Sequence, residues 1–156
     1  MTSGLISKLI CKEIQSNANM TELDEIINLE KETFGEHGGI DIWTLRPILR
    51  CGKVYVAKAD DEIVSVAEYM PDMANRMFLY GFSTRVSAQN KGYGDYLLSA
   101  TEIELRKLGI KEIFLTVAPT NIKAINLYKK HGYENIGENP DEYGVKEPRL
   151  LMAKKL

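Results

Sequence analysis

Cysteine is scarce in this 156-residue chain, and the two present form no pattern. Cys11 and Cys51 cannot build a disulfide framework, and together with His37 and His131 they lack the spacing of a metal site. We therefore expect no bound metal. We expect both thiols to stay reduced in a cytoplasmic protein, where free Cys is usually buried.

Long apolar runs and an excess of positive charge are also missing. Residues 1–13 lack the basic-then-apolar layout of a secretory signal, and no stretch approaches membrane-spanning length. The net charge is −2, with lysines and glutamates spread along the chain, so there is no basic stripe for a nucleic-acid backbone. We expect neither a membrane nor nucleic acid as partner. The chain length predicts one domain, residues 1–156, around one core.

Hydrophobic periodicity predicts an α/β (α+β) protein with a mixed sheet of six to seven strands and about four helices. Tight hairpins make neighbouring strands antiparallel, whereas helical crossovers make them parallel. Thr21 is expected to cap the first helix. The predicted order is strand 7–14, helices 21–34 and 42–50, strands 53–59, 63–70 and 77–86, helix 95–109, strand 111–117, helix 121–132, and strands 133–138 and 149–156.

A glycine-containing turn precedes the third predicted helix. In "QNKGYG", the glycines remove side chains at a helix N-terminus, where free backbone N–H groups and the helix dipole attract anions. The turn lacks the Gly-Lys-Ser/Thr of a nucleotide-triphosphate loop, and Leu97 stands where a dinucleotide motif needs its third glycine. Two interpretations stay open: a phosphate site and a simple helix start. The residues of the turn are Gln89, Asn90, Lys91, Gly92, Tyr93 and Gly94.

A second motif, "NIKAINLYKKHGY", decides which phosphate compound is expected. "QNKGYG" resembles the pyrophosphate signature Gln/Arg-x-x-Gly-x-Gly/Ala of the GCN5-related N-acetyltransferases, and the second motif resembles another signature of that family at its usual spacing. The order of predicted elements is similar to the family's along nearly the whole chain. The residues that carry the second resemblance are Asn121, Ala124, Leu127, Tyr128, Gly132 and Tyr133.

The resemblance implies the family's fold and a site for acetyl-CoA between the fourth and fifth strands. It implies that the pantetheine arm pairs with backbone groups of Phe82, Ser83 and Thr84, as an added strand would. Asn121 would bind the pantetheine through its amide, or act as a plain helix cap, and the two roles are compatible. The pyrophosphate would lie on Asn90, Lys91, Gly92, Tyr93, Gly94 and Asp95, next to Gln89.

Transfer of acetyl to an amine requires a proton donor for the departing thiol and a proton acceptor for the amine. By the resemblance Tyr128 is the donor, because a phenol has a pKa of about 10; its alternative role is packing. The family's two usual positions for a base are vacant: the fourth strand offers Leu79–Phe82, and Thr116 occupies the other. Glu68 is the remaining carboxylate that could face the cleft. It could equally lie on the solvent side of its hairpin, with water taking the proton.

The predicted function is acetylation of a primary amine, on a small molecule or on a peptide or protein, by direct attack on the thioester. The alternative is a non-catalytic sensor of acyl-CoA, and an unrelated phosphate-binding protein is a third hypothesis. Two loops expected to face the acceptor amine contain acids, which would suit a cationic amine. These acids are Glu36, Asp41, Asp141, Glu142 and Glu147. The resemblance also makes a homodimer a possibility to test.

Overall fold

The computed structural model describes residues 8–156, and within them seven strands and four helices follow the predicted order. The first predicted strand began at Ser7, which lies outside the described residues. The strands are β1 (Leu9–Glu13), β2 (Lys53–Ala59), β3 (Glu62–Pro71), β4 (Arg76–Thr84), β5 (Glu112–Val117), β6 (Glu134–Asn139) and β7 (Arg149–Lys155). The helices are α1 (Met20–Phe34), α2 (Ile42–Cys51), α3 (Tyr93–Lys107) and α4 (Ile122–Lys130).

The strands form one mixed sheet in the order β1-β2-β3-β4-β5-β7-β6. Neighbouring strands pair antiparallel except β4 and β5, which are parallel because α3 connects them. This arrangement confirms the predicted mixed α/β architecture. Within residues 8–156, no helix is long and apolar enough to cross a membrane.

Each face of the sheet is covered by its own pair of helices. Along β2, Val54 and Val56 pack with α1 and α2, whereas Tyr55 and Ala57 pack with α3 and α4. This alternation is expected because successive side chains in a strand point to opposite faces. The sheet therefore separates two apolar layers, and any site must form where the layers or the strands part.

Most predicted boundaries differ from the structure by one or two residues, and two of the differences have a clear local reason. Helix α1 begins earlier than expected, because the side chain of Asn19, not Thr21, accepts the N–H of Glu22 at 3.0 Å and caps the helix. Strand β4 ends at Thr84 instead of residue 86, because Val86–Ala88 turn into a short 3₁₀ segment. That segment carries the chain from the sheet to the glycine turn.

Candidate active site

Strands β4 and β5 pair over three residues and then separate. Their parallel register runs from Arg76 opposite Glu112 to Phe78 opposite Phe114. Strand β4 continues to Thr84 with no partner on its β5 side among the described residues. An open backbone edge inside a sheet offers hydrogen-bonding groups to an extended ligand.

The glycine turn lies beside this opening. Gly92 caps α3 in the left-handed conformation at φ +82°, and within residues 8–156 no side chain makes a capping hydrogen bond at this helix end. Within the described chain, the backbone N–H groups from Asn90 to Asp95 have no hydrogen-bond acceptor. A Cβ added at Gly92 would meet no atom within 4 Å, so the side of the turn that this glycine faces is open. The turn therefore fits a diphosphate group by charge and by space.

A cavity of about 280 Å³ connects the open strand edge to the glycine turn. Every residue predicted to bind the cofactor lines it except Lys91, which is exposed at the turn. The lining also includes residues to which the sequence analysis gave no part in cofactor binding: Thr33 and Phe34 at the end of α1, Ala88 before the turn, and Lys123, Ala124 and Leu127 on α4.

Lys123 brings a second positive charge to the turn. Its Nζ lies 3.4 Å from Oε1 of Gln89. The first turn of α4 therefore contacts the start of the glycine turn, residues 89–95, which we call the cradle. The signal was available in the sequence, because Lys123 follows Asn121 by two positions in the same motif. Oδ1 of Asn121 accepts the N–H of Ala124 at 3.2 Å, which is the capping role foreseen for it.

Asp95 ties the cradle to the far end of α4. Its carboxylate accepts hydrogen bonds from Nζ of Lys130 at 2.9 Å and contacts Nε2 of His131 at 3.0 Å. These bonds, that of Lys130 first, lower the pKa of Asp95 below its ordinary value. The first turn of α3 is thereby clamped to the last turn of α4, which holds the position of the cradle.

Tyr128 packs against Phe82, one of the residues that line this cavity. Its side chain is buried, with 7% exposed, and its ring packs edge-on against Phe82 at 6.3 Å between centroids. Burial raises the pKa of the Tyr128 phenol above its usual value, so the group stays protonated in neutral solution. A phenol that stays protonated can act as a proton donor.

Glu68 does not lie on the solvent side of its hairpin. It is fully buried on the sheet face covered by α1, and apart from the neighbouring Glu30 carboxyl its oxygens have no side-chain partner among the described residues. Burial first, and then the charge of Glu30, raise the pKa of Glu68 well above the ordinary range. A buried carboxyl of this kind can accept a proton near neutral pH.

A one-residue bulge positions Glu68 near the opening. Glu68 pairs with Gly81 and Tyr69 pairs with Leu79, which leaves Tyr80 as the extra residue of β4. The Tyr80 side chain is 43% exposed. Partial burial, and then Glu68 and Glu30, raise the pKa of the Tyr80 hydroxyl. The sequence analysis listed Tyr80 only as a vacant base position and did not anticipate the bulge.

A second cavity, which we call the aromatic groove, begins at the last residues that β4 and β5 pair. It measures about 620 Å³ and has Phe78 and Phe114 in its lining, with ring centroids 5.2 Å apart. Arg149 also lines the groove and stacks 5.0 Å from the ring of Tyr143 in the β6–β7 loop. The remaining lining residues are Thr116, Gly137, Glu138, Asn139, Glu142 and Leu151.

Several acids expected to face an acceptor have bonds within their own loops. Oδ1 of Asp41 caps α2 through the N–H of Thr44, and Oδ1 of Asp141 accepts the N–H of Lys146. Glu142 accepts a bond from the amide of Asn139. Of these acids, Glu142 lines the aromatic groove.

Comparison with known proteins agrees with this geometry. Residues 22–133, which contain both the glycine turn and the Asn121 helix, match the family model of the acetyltransferase (GNAT) family. The chain belongs to this family. The GNAT chain is 24% identical over 152 residues to an N-alpha-acetyltransferase of Sulfurisphaera tokodaii, covering 90% of this chain and 91% of that protein.

Solved structures share the fold. Ard1 from Thermoplasma volcanium superposes with a TM-score of 0.83 at 15% identity, covering 95% of this chain and 97% of that one. An aminoglycoside 6'-N-acetyltransferase complexed with coenzyme A superposes with a TM-score of 0.79 at 20% identity, covering 94% of this chain and 96% of that one. The predicted fold and family are therefore confirmed.

Proposed function

We propose that the chain, acting as one domain in the cytoplasm, is an acetyl-CoA-dependent N-acetyltransferase that acetylates a primary amine by direct attack on the thioester. The observation that carries this proposal is the meeting of three features at one place. The open edge of β4 and the glycine turn, whose N–H groups have no acceptor among the described residues, line one cavity, and the ring of Tyr128 packs against Phe82 in that lining. The coenzyme A complex of the similar aminoglycoside acetyltransferase supports the choice of cofactor.

The chain's residues divide the binding work by chemistry. The N–H groups from Asn90 to Asp95 bind the diphosphate, with Lys91 and Lys123 adding positive charge at the rim. The backbone of Phe82, Ser83 and Thr84 pairs with the extended arm, and Asn121 binds it through its free amide N–H₂. Bound acetyl-CoA supplies an acetyl group already activated toward amines.

Two side chains then move protons. Tyr128 gives its proton to the departing sulfur, and its raised pKa keeps that proton in place until the sulfur becomes basic. Glu68 takes a proton from the amine through water, and its raised pKa makes it a stronger base than an exposed glutamate. The two groups approach from opposite faces of the sheet, so neither neutralises the other.

The acceptor is a primary amine that reaches the opening from the aromatic groove. A groove of this size admits either a small molecule or a peptide end. The names of the similar proteins point both ways, to an N-alpha-acetyltransferase and to an aminoglycoside acetyltransferase. The acceptor panel should therefore contain an aminoglycoside, a polyamine, a peptide with a free N-terminus and a lysine peptide with a blocked N-terminus.

Calorimetric titration with acetyl-CoA tests the cofactor, with ATP and NAD as controls. We expect saturable binding of acetyl-CoA alone, and binding of none of the three would overturn the proposal. Release of free thiol with each amine of the panel then tests turnover. Binding without turnover of any amine would favour the non-catalytic acyl-CoA sensor.

A further inference from the structure

Two glutamates from different elements meet in the interior beside the bulge of β4. Glu30 of α1 is 2% exposed and Glu68 of β3 is fully buried. Oxygens of both surround the point where a side chain of Gly81 would begin. Oε1 of Glu30 lies 3.3 Å from that point, and Oε2 of Glu68 lies closer than any side chain could tolerate. The glycine therefore leaves room for two carboxyl groups.

The two carboxyls differ in their surroundings. Oε2 of Glu30 accepts the N–H of Ile40 at 2.6 Å, which anchors the segment between α1 and α2. Apart from the neighbouring Glu30 carboxyl, the oxygens of Glu68 have no side-chain partner in residues 8–156. Two adjacent buried carboxylates resist being ionised together, because each charge is poorly solvated and repels the other. A buried, unpartnered acid beside a second acid is costly to the fold, which suggests a use for it.

The groups around this pair connect it to the opening in the sheet. Partial burial first, then the charges of Glu68 and Glu30, raise the pKa of the Tyr80 hydroxyl on β4, and Tyr143 and Asp41 add smaller effects. Tyr80 is also the bulge residue, two positions after Phe78, the last residue of β4 that pairs with β5. Glu68 also pairs with Gly81, which belongs to the stretch of β4 that has no partner on its β5 side among the described residues, so the pair lies against the open part of that strand.

We propose that Glu30 and Glu68 are one proton-sharing pair in which Glu68 takes the proton of the acceptor ammonium and Glu30 is the positioning residue that makes Glu68 basic. This inference rests on the proposed function and adds Glu30 to its machinery. Transfer of one proton from the ammonium to the fully ionised pair leaves one shared proton, and this relieves the repulsion between the carboxylates.

The step balances with the residues already described. The neutral amine forms the N–C bond, the C–S bond breaks with its electron pair on sulfur, and Tyr128 protonates that sulfur. The second N–H proton of the former ammonium restores Tyr128 through water, and Glu68 releases its own proton to solvent. The net change is one proton released for each amide and thiol formed.

A carboxyl-carbon NMR titration of the ligand-free protein tests the pair directly. In the wild type we expect one glutamate carboxyl to titrate well above the others. Glu30→Gln keeps an acceptor for Ile40 but removes the like charge, so the Glu68 carbon should titrate at lower pH. The matched control is Glu32→Gln, which removes an exposed acid from the same helix and should leave that titration unchanged. A Glu68 carbon that titrates with the exposed glutamates, or that ignores Glu30→Gln, overturns the pair.

The pH profile of kcat/KM with an amine from the panel tests its use in catalysis. We expect a rising limb that follows ionisation of Glu68, moves to lower pH in Glu30→Gln, and changes the rate tenfold for each pH unit below the limb. Glu68→Gln should abolish the limb and lower kcat by roughly 10²–10⁴-fold, the usual loss for a general base. If the profile ignores Glu30→Gln while acetyl-CoA binds and turns over, this inference fails and the proposed function stands. If acetyl-CoA does not bind, the proposed function fails, and the NMR titration still decides whether the pair exists.

Discussion

Replacing Tyr128 with Phe removes one hydroxyl and leaves the surrounding packing in place. The ring lies 6.3 Å from that of Phe82 and 5.6 Å from that of Tyr133, between centroids, and its hydroxyl makes no hydrogen bond to another described residue. A lost hydrogen bond normally costs about 1 kcal/mol, and here none is lost. We therefore expect the free energy of unfolding to change by less than about 1 kcal/mol, which is about 2–4 °C in Tm for a chain of this size.

The effect on turnover should be much larger than the effect on stability. Burial raises the pKa of Tyr128. Because the same buried surroundings would also destabilise a thiolate, the departing sulfur needs a proton from a nearby group. A positioned general acid contributes roughly 10²–10⁴-fold. At about 1.4 kcal/mol for each factor of ten, Tyr128→Phe should raise the barrier by about 3–5 kcal/mol.

The assay is thiol release at saturating acetyl-CoA, with the dissociation constant measured separately by calorimetry. Since the proton transfer develops in the transition state, kcat should fall at least 100-fold while the affinity for acetyl-CoA changes less than about threefold. Tyr133→Phe is the matched control, because it removes a buried, unpartnered hydroxyl from the neighbouring ring. A kcat within about threefold of wild type, or a loss of affinity alone, would refute the proton-donor role.

Three further predictions concern the glycine turn, Glu68 and Asp95. Gly92→Val and Gly109→Val both force a branched residue into φ +82° with open space around it, so each should cost about 1–2 kcal/mol of stability, and calorimetry should show that only Gly92→Val weakens acetyl-CoA binding. Glu68→Gln should flatten the dependence of stability on pH. Because the pKa of Glu68 is raised in the folded state, its contribution to wild-type stability is fully present below about pH 4 and is lost as pH rises through the folded-state pKa. The free energy of unfolding in urea should therefore differ between pH 5 and pH 8 in the wild type and be similar at both in the variant. Asp95→Asn should weaken acetyl-CoA binding several-fold in the same titration, whereas Asp72→Asn, which alters a salt bridge in the β3–β4 turn, should not. Equal effects of the two variants would show that the bonds of Asp95 to α4 do not position the glycine turn for binding.

Local chemistry made most of the fold predictable. Alternation of apolar residues in β2 and β3, and the glycines that end α3 and α4, are signals carried by neighbours in sequence. The errors occurred where two local signals compete. Thr21 and Asn19 can both cap a helix, and only the folded backbone decides that Asn19 accepts the N–H of Glu22.

The candidate site was predictable to the extent that it is continuous in sequence. The cradle from Gln89 to Asp95 is one turn, so its motif revealed it. The partner of Glu68 was not foreseeable, because Glu30 is 38 positions away and meets it only where a bulge turns Gly81 toward both. Bulges leave little trace in composition, and a glycine in a strand is the available hint.

The early separation of β4 from β5 gives the protein a built-in reporter of occupancy. The amides of β4 beyond Phe78 that point toward β5 have no partner across the gap, so they should exchange with solvent quickly in the free protein although they lie in mid-sheet. A ligand that adds itself as a strand would slow their exchange and join the two halves of the sheet into one cooperative unit. Binding of such a ligand would therefore add to the free energy of unfolding in proportion to the logarithm of the ligand concentration above its dissociation constant.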